Sequence, residues 1–83
     1  MVSKKSEALA QRARQLYESE LRSDLEATQF GRHVCIEPES KKYFLGDAFD
    51  QAVDEALAEF PDRLTYTLRI GHDVTLHLGV MSR

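Results

Sequence analysis

The sequence predicts a small α+β domain of element order α-β-β-α-β-β, with a four-stranded antiparallel or mixed sheet and the helices packed on one of its faces. Three observations carry this. Residues 6–29 contain no Gly or Pro and repeat their apolar positions in steps of three and four. Tyr43–Gly71 reads as strand, Gly46 turn, amphipathic helix, Pro61 stop and strand. Leu64–Ile70 and Asp73–Val80 alternate apolar with polar residues, the period of a strand with one buried face.

The first helix is expected over 6–29, with Ser6 as its N-cap. Leu9, Ala13, Leu16, Tyr17, Leu21, Leu25 and Thr28 share one side. Ser23 and Glu26 have capping-box spacing, which predicts a break or restart there. Gly31 follows the last turn and suits the left-handed end of a helix. A helix of this length rises ~1.5 Å per residue, so its first turns are expected to project from a compact ββαββ body over 31–83. The whole of 1–83 is read as one domain.

Arg32–Glu37 and Lys42–Leu45 flank Pro38-Glu39-Ser40-Lys41, a stretch with turn chemistry, and predict a hairpin. Asp47 is the expected N-cap of the helix Ala48–Phe60. Phe49, Ala52, Val53, Ala56, Leu57 and Phe60 form its apolar stripe. Pro61 ends it, because proline has no amide hydrogen and disfavours helical geometry in the residue before it. In the last two strands Leu64, Tyr66, Leu68, Ile70, Val74, Leu76, Leu78 and Val80 are expected inward. The outer face would then carry His33, Cys35, Phe44, Thr65, Thr67, Arg69, Thr75 and His77.

Composition excludes several classes. The longest apolar run is far short of the ~20 residues a membrane helix needs, and Lys4 and Lys5 precede no apolar run of the kind that makes a secretory signal. A membrane partner is therefore not expected, and a cytoplasmic location is. One cysteine makes no internal disulfide. The net charge is −3, with +3 on residues 1–16 and −6 on the rest. An acidic body disfavours general phosphate-backbone binding, which needs clustered Lys and Arg.

No catalytic, cofactor or metal residues are expected. His33 and Cys35 share a strand face roughly 6–7 Å apart, too far for a direct hydrogen bond, and no third group orients them. His72 and His77 match no dedicated zinc spacing. Arg69, beside Thr67 on the outer sheet face, is suited to a partner's carboxylate through paired hydrogen bonds.

Gly31-Arg32-His33-Val34-Cys35-Ile36, Tyr43-Phe44-Leu45-Gly46, Ala52…Ala56…Phe60-Pro61 and Tyr66…Arg69-Ile70-Gly71 resemble the pattern of a group of small uncharacterised bacterial proteins. That resemblance implies an antitoxin-like or partner-binding role and supplies no catalytic residues. The expected function is a non-enzymatic protein-interaction module, a homodimer or the partner of another small protein. Leu9, Arg12, Leu16, Arg69 and His72 are its expected partner-binding residues. On this reading, Leu9→Glu with Leu16→Glu abolishes association and leaves 31–83 folded. The alternative is a nucleic-acid-linked regulator using the basic N-terminal helix.

Overall fold

A computed structural model describes residues 4–71 and 77–79. The elements are α1 (Lys4–Leu16), a π-helical turn (Tyr17–Leu21), α2 (Arg22–Thr28), β1 (His33–Glu37), β2 (Lys42–Gly46), α3 (Phe49–Glu59), β3 (Thr65–Arg69) and β4 (His77–Gly79). The α+β class holds. Three five-residue strands form an antiparallel sheet in the order β2-β1-β3, and the three-residue β4 pairs antiparallel with the other side of β3. The fourth strand expected over Asp73–Val80 is described only at His77–Gly79; Val74, Leu76 and Val80 lie outside the described residues.

α1, the π turn and α2 follow one another without a break, as one long helix. The expected restart at Ser23 does not occur; the distortion is the π turn, whose end is marked by the Arg22 amide bonding the Tyr17 carbonyl five residues back. The apolar steps explain it. Ala13, Tyr17, Leu21 and Leu25 recur strictly every fourth residue, which drifts around a 3.6-residue helix. A wider turn with i→i+5 bonds returns Tyr17, Leu21 and Leu25 to one side. Tyr17 and Leu25 are buried and Leu21 is partly so. The helix ends as expected, with Gly31 in the left-handed region at φ +88°. The Gly31 amide bonds the Ile70 carbonyl at 2.9 Å, and the Ile70 amide bonds the Arg32 carbonyl at 2.8 Å, which extends the β1–β3 pairing by one step.

The largest correction concerns layers: the helices lie on both faces of the sheet. Leu9, Ala13, Leu16, Tyr17 and Leu25 pack on Val34, Ile36, Tyr66, Leu68 and Ile70. α3 packs on the opposite face, with Ala52 and Ala56 against Cys35, flanked by Phe44 and Val53. Register confirms the division, since Cys35 pairs with Phe44 and Thr67 while Val34 pairs with Leu45 and Leu68. The supposedly open Thr/Cys face is therefore the floor under α3, and Cys35, Thr65 and Thr67 are buried there. Small residues on both sides explain the fit. Ala52 and Ala56 carry only a methyl group, so α3 runs close to β1, β2 and β3.

The projecting helix is also corrected. Leu9 and Leu16 are each 7 % exposed, and the Tyr66 hydroxyl donates to the Ser6 carbonyl at 2.8 Å. The long helix lies along the sheet from its second turn, and residues 31–83 without it would lose one whole side of their core.

Two local expectations change. The cap of α3 is Ala48 rather than Asp47, with no side-chain cap bond; Gln51 Oε1 instead reaches back to the Asp47 amide at 2.9 Å. Gly46, read as a turn residue, ends β2 and is needed for space. A Cβ there would lie 2.7 Å from the Ala52 amide nitrogen, a backbone atom in the first turn of α3. Gly46→Ala is expected to cost about 1–3 kcal/mol through overpacking, read as a lower denaturant midpoint at unchanged m.

Candidate functional site

Among the described residues, three places concentrate polar or exposed chemistry. The first is the layer beneath α3. Cys35 is fully buried, and burial raises its thiol pKa. The hydroxyls of Thr65 and Thr67 temper that shift, yet neither makes a hydrogen bond of ordinary geometry. His33 Nδ1 is likewise without a partner, and the His33 ring stands edge-on to Phe49 at 6.2 Å. A thiol with a raised pKa and no access to solvent is a poor nucleophile. Among the described residues no three His, Cys, Asp or Glu side chains converge as metal ligands.

The second place is the β1–β2 turn. The Glu37 side chain is 1 % exposed although it ends β1 at the start of the turn. Its carboxylate accepts from the amides of Ser40 at 2.8 Å and Glu39 at 3.1 Å and pairs with Arg63 at 3.2 Å. Burial pushes its pKa up, but Ser40, the Glu39 amide and the Arg63 charge together outweigh burial and hold it below the usual carboxylate range. Arg63 also reaches Glu39 at 3.5 Å and lies 5.5 Å from the centre of the Phe60 ring. The Lys41 amide bonds the Glu37 carbonyl, and Lys41 closes the turn at φ +67°. This cluster ties the turn to the segment after α3 and has the character of a structural brace.

The third place is the outer edge of β2, which among the described residues has a strand neighbour only on the β1 side. Its side chains alternate across the sheet: Tyr43 and Leu45 lie on the α1 face and Phe44 on the α3 face. Phe44 meets Phe60 edge-on at 6.2 Å. Tyr43 is 40 % exposed; it and Phe30, which lies over Gly71, are the large exposed hydrophobic residues among those described. Natural edges are blunted by charged side chains, lysine above all. Here the edge lysine is occupied, with Lys42 Nζ 2.5 Å from Glu59 Oε2 and above the Phe60 ring.

The five residues expected at a partner surface are not brought together. Leu9 and Leu16 belong to the core between α1 and the sheet, a correction whose cause is that the sheet itself supplies the cover their stripe required. Arg12 is exposed, beside the buried stripe of α1. Arg69 is exposed, and its Nε donates to the Gly31 carbonyl at 3.2 Å, bracing the helix-to-strand corner. His72 lies outside the described residues. Sequence reasoning singled out no residue on the β2 edge. The available signal was Tyr43-Phe44-Leu45, three consecutive large apolar residues in a strand, more than a single buried face uses.

No helix among the described residues is long and apolar enough to cross a membrane. Comparison with protein-family models, curated proteins and solved structures finds no match.

Proposed function

We propose that the chain is a non-enzymatic protein-interaction module that binds by accepting a strand along the free edge of β2. The observation that carries this reading is the position of Tyr43: a large, exposed aromatic on an edge strand whose only lysine is already paired. An unpaired edge offers a row of main-chain donors and acceptors, and side chains alternating beside it supply specificity. Tyr43 provides apolar area and a hydroxyl at such an edge at low conformational cost. The partner-binding role implied by the resemblance of the YFLG stretch has the same character.

Amide hydrogen exchange of Lys42–Gly46 tests the reading. Exchange is compared between the dilute purified chain and the same chain in an extract of the cells that make it. The expected result is protection of this segment in extract, lost on Tyr43→Lys, with β1 and β3 equally protected throughout. Free exchange of β2 in every condition would overturn the proposal.

A further inference from the structure

We infer that the strand accepted at this edge is β2 of a second copy, paired antiparallel about a twofold axis at Phe44 to make one sheet continuous across two chains. The inference rests on the edge-binding reading above and adds the identity of the partner. Its basis is the charge order along the segment. Lys41 and Lys42 stand at one end of β2 and Asp47 follows the other. An antiparallel copy therefore brings opposite charges together at both ends, whereas a parallel one stacks like on like.

The register follows from the side chains. Centring on Phe44 sets Lys41 opposite Asp47 of the second copy, Tyr43 opposite Leu45, and Phe44 opposite itself. Lys41 is exposed and makes no ion pair among the described residues. The Asp47 side chain is 83 % exposed, and one of its oxygens is engaged by Arg32 Nε at 2.9 Å. Its carboxylate thus keeps acceptor capacity for a second cation. Tyr43 and Leu45 lie on the same sheet face, so the exposed Tyr43 of each copy would cover the partly buried Leu45 of the other. On the other face two Phe44–Phe60 pairs would meet. Centring on Tyr43 instead sets Glu39 against Asp47, which like charge disfavours. Centring on Leu45 sets Lys42 against Ala48 and leaves both charged ends unmatched.

The test is a charge-swap series followed by light scattering over a range of concentrations. Lys41→Asp alone and Asp47→Lys alone each turn two attractive pairs into two repulsive ones. Each is expected to weaken self-association by about tenfold or more. An equimolar mixture of the two single variants restores attraction at both ends and is expected to associate as tightly as the native chain. Both positions are exposed, and aspartate tolerates the positive φ of residue 41 better than lysine does, so the variants should fold; circular dichroism checks this.

A native chain that stays monomeric across the series overturns the inference. So does a dimer indifferent to both single variants, or a mixture that fails to recover. A monomeric chain whose β2 is nonetheless protected in extract retains the edge-binding reading and assigns the edge to a different protein. Free exchange of β2 in extract together with a monomer removes both.

Discussion

Replacing both Leu9 and Leu16 with glutamate unfolds the chain and does not release an intact body from a partner. Each leucine is almost fully buried against the sheet. Removing each forfeits about 2–3 kcal/mol of apolar burial. Each incoming carboxylate adds a desolvation cost of several kcal/mol, because the side chains it would enter among are the apolar ones of the core. The sum exceeds the total stability of a typical small domain, of order 5 kcal/mol. Far-ultraviolet circular dichroism and a urea titration read the result as loss of a cooperative transition at 25 °C. A folded, monomeric double variant would mean that the α1 stripe is a surface and not part of the core. The sequence alone suggested that outcome, because an amphipathic helix shows that it needs cover without showing what provides it.

The second large effect belongs to Glu37. Glu37→Gln keeps the shape of the side chain but removes the charge opposite Arg63 and turns an NH2 group toward amides that need an acceptor. The expected loss at neutral pH is about 2–3 kcal/mol, the range for hydrogen bonds to a charged group and a buried donor left unpaired. The pH dependence has a definite sign. The folded-state pKa of Glu37 is depressed, despite burial, by Ser40, the Glu39 amide and Arg63. Its contribution is therefore fully present above the unfolded carboxylate pKa, roughly 4.3. It is lost as pH falls through the lower folded-state value. Denaturant midpoints followed from neutral to acid pH should fall more steeply for the native chain than for Glu37→Gln. Parallel curves would show that the carboxylate contributes no proton-linked stability.

These predictions separate what was legible in the residues from what was not. The strands and helices are evident from spacing, and so is the α1-facing core: Val34, Ile36, Tyr66, Leu68 and Ile70 alternate along strands, and Leu9, Ala13, Leu16 and Leu25 share a helix side. The helix end at Gly31 and the stop at Pro61 follow from backbone sterics that act within a few residues. The π turn was not anticipated, although the four-residue steps from Ala13 to Leu25 contain the reason for it. Glu37 was hidden, because a glutamate beside proline in a polar turn reads as solvated until Arg63 is brought to it from 26 positions away.

The sequence by itself determined the α+β class, the order of the described elements and the residues that line one face of the sheet, because local propensity and periodicity act over short distances along the chain. Only the tertiary structure decided that α3 covers the opposite face. Thr65, Thr67 and Cys35 are small enough to be buried and polar enough to be exposed, and their placement depends on Ala52 and Ala56 being close above them. The tertiary structure likewise turned the first helix from a projecting arm into half of the core and left Tyr43 exposed on the edge of β2. Burial of an ambiguous residue is a property of its neighbours in space, and those neighbours are set by how the layers stack.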